Sequence, residues 1–161
     1  MTSILNIQKR ICVNPEFLDK NLNSSLFKYI KESIPNECDK EFGYVINIIK
    51  LVRIIDNYIS NNNCELIFEV EIMSEMLKPE INKVFSDKVC MIFSGGIFID
   101  VCGKFKVLIP FSSLNKFTFD SSNKSFNLDK LSIKEGDIVN VKITGIKYAK
   151  QNFSCFGELV L

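Results

Sequence analysis

The stretch GIFIDVCGKFKVLIPFSSL, residues 96–114, carries two consecutive runs of strict alternation. Ile97, Ile99 and Val101 fall on one face, with Phe98 and Asp100 on the other; Phe105, Val107 and Ile109 then take the apolar face, with Lys104 and Lys106 on the polar one. A side-chain period of two belongs to a strand with one buried face. Upstream, VCMIF (89–93) runs into Gly95-Gly96 as a further strand entering a bend, since no Gly-Lys-Ser/Thr and no helix follows to make a phosphate loop. Downstream, EGDIVNVKITGI (135–146) restores the alternation with Val139, Val141 and Ile143 inside, and NFSCFGELVL (152–161) closes the chain. Residues 111–133, rich in Ser, Asn, Asp and Phe, read as a long connection holding a short helix. Five short strands with one long connection predict a five-stranded OB-type barrel.

The first half reads differently. SILNIQKRICV (3–13) alternates as a strand, and Asn14-Pro15-Glu16 supplies an N-cap, a proline at the first helical position and an acid in the first turn. Leu18, Leu22, Leu26 and Tyr29/Ile30 then share one face of a helix predicted over 15–33, with Pro35 at its exit. In EFGYVINIIKLVRIID (41–56), Gly43 marks a bulge, a bend or a close backbone approach ahead of a β-branched run that suits a buried strand. Asn61-Asn62-Asn63 predicts a turn. In CELIFEVEIMS (64–74), Leu66, Phe68, Val70 and Ile72 face Glu65, Glu69 and Glu71 across a half-solvated strand. Proline ends this run at Lys78-Pro79, which divides an α+β chain into residues 1–78 and 79–161.

Composition narrows the chemistry. The 161 residues are 47% hydrophobic and 24% charged, which describes a globular chain, and Met1 to Gln8 has neither the basic start nor the apolar core of a secretory leader. Lys50 and Arg53 interrupt the longest apolar run, short of the roughly eighteen residues of a membrane span. The expectation is a soluble intracellular protein. Six scattered cysteines lack zinc-knuckle spacing and read as buried, reduced thiols. Histidine is absent, which removes the commonest general base and every Ser-His or Cys-His arrangement, so neither a catalytic nor a metal site is expected. Net charge is +1, but residues 1–77 carry eight basic and eleven acidic groups (−3) whereas residues 78–161 carry twelve and eight (+4). The second half therefore suits a polyanion better than the first, although solvated surface explains the same charges.

The residues from Gly96 to Leu114 and from Ile133 to Leu159 resemble the S-one-type OB fold, with Gly96, Phe98, Asp100, Gly136, Asp137, Val139 and Val141 on the family's positions. Pro110 stands where many such domains carry histidine. A strand, the Pro-x-Phe helix start at Pro15 and Phe17, then Phe42-Gly43-Tyr44 and an alternating strand running into Lys78-Pro79 resemble the stalk subunit of multisubunit DNA-directed RNA polymerases. This is the seventh-subunit family of eukaryotic polymerase II and its archaeal E-subunit relatives.

That resemblance implies an N-terminal ribonucleoprotein-like tip domain, an antiparallel sheet plus one helix that docks on the polymerase core, followed by an OB domain that contacts nascent RNA or initiation factors. It implies a non-catalytic subunit without cofactor, core polymerase subunits and a fourth-subunit-like stalk partner as companions, and weak, sequence-tolerant contact with single-stranded RNA. The short, Ile/Asn/Lys-rich form would suit a large DNA virus or a reduced eukaryote, placing the protein in the nucleus, or in host cytoplasm and virion. Stacking aromatics and phosphate-following cations nominate Phe98, Lys104, Lys106, Lys142, Lys147, Tyr148 and Lys150 for RNA, with packing or solvated surface as the competing reading of each. The resemblance nominates Asn14, Pro15, Phe17, Phe42, Gly43, Tyr44, Asn61, Asn62 and Asn63 for polymerase docking. The other function class is a free-standing S-one-type OB-fold RNA-binding or translation-factor-like protein.

Overall fold

The computed structural model describes residues 2–34 and 37–161, which form two compact units divided between Lys78 and Pro79. In the first unit, strands β1 (Ser3–Val13), β2 (Cys38–Asp39), β3 (Gly43–Ile59) and β4 (Leu66–Leu77) make an antiparallel sheet in the order β1-β4-β3-β2. One helix, α1 (Leu22–Ser33), buries Leu26 and Ile30 against the inner residues of the sheet, among them Ile7, Ile48, Val70 and Ile72.

The helix is shorter than the residue pattern predicts. Asn14 does cap a turn, its side chain accepting the Glu16 N–H at 3.2 Å, but that turn is a 3-10 turn of Pro15–Phe17. Leu18 then adopts extended backbone, and the Asp19 carboxylate accepts bonds from Asn21 N–H and Ser25 hydroxyl before α1 begins. A second local capping residue thus breaks the run where the apolar stripe alone would continue it. The exit assigned to Pro35 lies outside the described residues.

Strand β3 departs from alternation over residues 45–56. Against β4 its register slips after Val45, Ile48, Leu51 and Ile54, leaving Ile46, Ile49, Val52 and Ile55 as extra residues. Each slip is a β-bulge, in which two residues oppose one. The sequence behind it is a triplet: VIN, IIK, LVR, IID. The first residue of each triplet faces the core, with Val45 and Ile48 buried and Leu51 and Ile54 packed at its margin. The third, Asn47, Lys50, Arg53 or Asp56, stands opposite Glu75, Met73, Glu71 or Glu69 on the outer face. At the strand's start, Gly43 has φ +83°, and a Cβ there would lie 2.3 Å from the Leu77 carbonyl oxygen. The glycine therefore serves both a left-handed backbone and a close approach of β4.

Turn residues 61–63 join β3 to β4, but the residue with positive φ is Cys64 (56°), not one of the asparagines. Acids and cations pair on the outer face of this sheet: Arg10 bonds Glu69 at 2.8 Å and Arg53 bonds Glu71 at 2.7 Å.

In the second unit, β5 (Val84–Phe93), β6 (Gly96–Val101), β7 (Phe105–Pro110), β11 (Ile138–Ala149) and β12 (Asn152–Val160) close a barrel in the order β5-β6-β7-β12-β11. All contacts are antiparallel except β7 with β12, which is parallel. Ile97, Ile99, Val107, Ile109, Val141 and Ile143 fill it, each fully buried. Val139, expected inside, is only half-buried near the start of β11. At Gly96 φ is +147° and a Cβ would stand 2.1 Å from the Ile109 carbonyl oxygen, so β6 can meet β7 at this corner only without a side chain.

Residues 111–133 hold more than a short helix. After a 3-10 turn (Phe111–Ser113) come β8 (Thr118–Asp120), β9 (Ser125–Leu128) and β10 (Leu131–Ile133), a three-stranded antiparallel sheet around Phe126, whose ring centroid lies 5.2 Å from that of Phe119. Strands of three or four residues are too short to display alternation. Among the described residues, no helix is long and apolar enough to cross a membrane.

Candidate nucleic-acid interface

The barrel's outer surface is assembled by register. Met91, Phe98, Leu108 and Phe156 stand side by side on β5, β6, β7 and β12, and the row ends at Gly145 on β11. A parallel row, two residues along, reads Lys88, Asp100, Lys106, Ser154 and Lys147. Inward Ile97, Ile99, Val107 and Cys155 force these neighbours outward, because adjacent residues on a strand point to opposite faces. A bulge at Cys90 brings Met91 into line: Val89 and Ile92 both remain buried, and Met91 and Phe93 turn out. The Cys90 thiol donates to the Phe98 carbonyl at 3.4 Å, and burial pushes its pKa up. Phe93 lies nearly parallel to Phe98, with 5.7 Å between centroids and 16° between planes. Phe156 is 49% exposed, and beside it Gly145 presents no side chain.

Of the residues nominated for RNA, Phe98, Lys106 and Lys147 are brought onto this one surface. Lys104 sits in the β6–β7 turn, where its N–H donates to the Val101 carbonyl and the Asp87 carboxylate accepts the Cys102 N–H. Lys142 is engaged by Glu158 at 3.4 Å. Tyr148 packs on buried Phe153 with ring centroids 4.8 Å apart, so it is part of the barrel's packing. Lys150 occupies the β11–β12 turn, where it and Gln151 both have positive φ. Lys88, Met91, Phe93 and Phe156 were not singled out from the sequence. The alternation of Phe153, Cys155 and Gly157 around Phe156 carried its outward direction, whereas Met91 depends on a bulge that alternation cannot show.

The residues nominated for docking separate into two groups. β1 ends at Val13 opposite Leu66, and β3 ends at Ile59 opposite the same residue, so Asn14, Pro15 and Phe17 share a sheet end with Asn61, Asn62 and Asn63. Phe17 is 64% exposed there, its ring 6.1 Å from Tyr29. Phe42, Gly43 and Tyr44 lie at the opposite end beside Leu77, with Tyr44 buried and Phe42 packed on the core. Strand β4 separates the two ends by roughly 35 Å at about 3.3 Å per residue.

The cysteines are free thiols, but the expectation that they are buried holds only for Cys155, which is pushed up to about 11 by desolvation. Cys12, Cys64, Cys90 and Cys102 are exposed because each sits on an outward or turn position. Among the described residues, no group of three or more Cys, Asp or Glu side chains is placed to hold a metal ion.

No family model and no curated protein matches the chain. Among solved structures it is similar to the apo form of Mycoplasma genitalium RNase R, at 25% identity and a TM-score of 0.40, over 50% of this chain and 13% of that one. At that level, fold and function rest on the residues themselves.

Proposed function

We propose that the chain is a non-catalytic stalk subunit of a DNA-directed RNA polymerase, whose second unit is an OB-type barrel that contacts single-stranded RNA. Two things support the barrel reading: the strand order β5-β6-β7-β12-β11, first-second-third-fifth-fourth in chain order, and its single parallel contact. The observation that carries the RNA reading is the aromatic row flanked by lysines, centred on the second and third barrel strands that OB folds use for oligonucleotides. Residues 1–77 carry a net charge of −3, which makes the first unit the less favourable of the two for phosphate and better suited to protein contact. Under this reading Asn14, Pro15, Phe17 and Asn61 to Asn63 form the end that meets the polymerase core, while Phe42, Gly43 and Tyr44 hold the sheet together internally. A fourth-subunit-like stalk partner, and a nuclear or viral cytoplasmic setting, belong to the same proposal.

Affinity purification of the tagged chain from its natural host or infected cells tests it. Stoichiometric recovery of the two large polymerase subunits is the expected result. Recovery of ribosomal proteins, or of RNA alone, would favour the free-standing S-one-type binder, a reading that draws support from the completeness of the lysine-flanked row within the second unit.

A further inference from the structure

We infer that the barrel carries a second base platform, Phe156 with an open flank at Gly145, separate from the Phe98 surface of the proposed RNA site. The inference rests on the reading of the barrel as a nucleic-acid surface, and it is independent of any polymerase. In the first of the two neighbouring rows Phe98 on β6 and Phe156 on β12 stand two strands apart, and in the second row Lys88, Lys106 and Lys147 lie on β5, β7 and β11. At about 4.8 Å per strand step, the two rings stand roughly 10 Å apart, and so do successive lysines. Asp100 lies between Lys88 and Lys106 in the lysine row, so three lysines and one carboxylate leave two net positive charges along that row.

Gly145 completes the second platform. It lies opposite Phe156, where any other residue would set a side chain against the ring. A Cβ there would make only ordinary contact, 3.6 Å from Phe156, and Gly145 has no positive φ, so neither backbone conformation nor contact at Cβ demands glycine. What glycine leaves is an open flank on an exposed ring, which a base can fill. Stacking on such a ring requires a base with an unpaired, exposed face. A duplex has its base faces covered and would engage the lysines alone.

Fluorescence anisotropy with labelled oligouridylate, oligothymidylate and a short duplex tests this on the full chain. The expected result is binding of both single strands in preference to the duplex, with Phe98→Ala and Phe156→Ala each weakening it by about fivefold or more. Gly145→Val, whose fold is checked by circular dichroism, is expected to reproduce the Phe156 loss by filling the flank. Lys106→Ala should lower the salt slope by about 0.7. Tighter binding of oligouridylate would add a contact to the 2′-hydroxyl, and equal binding would leave a path that reads only base faces and phosphates; both sustain the inference. Duplex binding as tight as single-strand binding would overturn it, as would absence of binding to either oligonucleotide. Phe156→Ala or Gly145→Val within twofold of wild type while Phe98→Ala is impaired would remove the second platform. Because the polymerase reading is tested by co-purification, either can fail while the other stands.

Discussion

Replacing Gly96 by alanine isolates the cost of a close backbone approach in the barrel. Two penalties meet at this residue. Its φ of +147° is one that a side-chain-bearing residue adopts only at about 1–3 kcal/mol. A Cβ would also lie 2.1 Å from the Ile109 carbonyl oxygen and 3.1 Å from Pro110 Cα, both main-chain atoms that cannot swing away. Gly96 pairs with Pro110 at the end of the β6–β7 ladder, so relief requires the two strands to part. A total of at least about 3 kcal/mol is expected, which at 4–8 °C per kcal/mol for a domain of this size lowers the barrel's melting temperature by roughly 12–24 °C. Gly103→Ala is the control, since φ there is +67° but nothing lies within 4 Å of the added carbon. It should cost only the left-handed backbone term, about 1–2 kcal/mol. Thermal unfolding of both variants by circular dichroism reads the difference. If Gly96→Ala melts no lower than Gly103→Ala, the close-approach reasoning is refuted.

The triplet reading of β3 predicts that Ile48→Ala, at a site 3% exposed, costs about 2–5 kcal/mol, whereas Ile49→Ala at a 40% exposed bulge costs about 1 kcal/mol or less by chemical denaturation. Simple alternation from Val45 would reverse the order. Phe126→Ala should destabilise by about 3–5 kcal/mol, because the ring is fully buried at the centre of the β8–β9–β10 sheet; a loss below 1 kcal/mol would mean that sheet contributes little to the unit. Iodoacetamide should label Cys12 and Cys64 in the native protein and Cys155 only after unfolding. The Cys155 thiol keeps its proton in the folded state up to about 11, while the unfolded chain releases it near the ordinary thiol value of about 9. Its contribution to stability is therefore complete below about pH 9 and falls by about 1.4 kcal/mol per pH unit between about 9 and 11, a slope that should be present in wild type and absent from Cys155→Ala. Lys142→Ala should change oligonucleotide affinity less than Lys106→Ala, since Glu158 already engages Lys142 at 3.4 Å.

Elements with period two were legible in the residues. β1 spans Ser3–Val13, the range its alternation predicts, and the inward sets of β6 and β7 are those expected. What escaped had a different period or none. The VIN-IIK-LVR-IID repeat was visible as letters, but a strand template recognises two and a helix template three and a half, and a bulge at every third residue answers to neither. The small sheet of β8 to β10 is fixed by packing around Phe126 and by turns such as that of Asp120, which accepts the N–H groups of Ser122 and Asn123. For the site, Phe98 and Lys106 followed from alternation, while their neighbours Met91 and Gly145 required pairing register, a property of two strands at once. The contacts of Tyr148 with Phe153 and of Lys142 with Glu158 were illegible for the same reason, since both partners come from the facing strand.

The repeated bulges of β3 also constrain how this gene can change length. Three residues of β3 advance the sheet as far as two residues of β4. Deletion of one extra residue, such as Ile46 or Ile49, would remove a single bulge and leave every other residue of β3 opposite its present β4 partner. Loss of one whole triplet, matched by two codons from β4, would preserve the core, the outer charges and the bulged ridge together. Lineages related to this chain should therefore vary this hairpin either by one extra residue of β3, with loss or gain of a bulge, or by a whole triplet matched by two residues of β4.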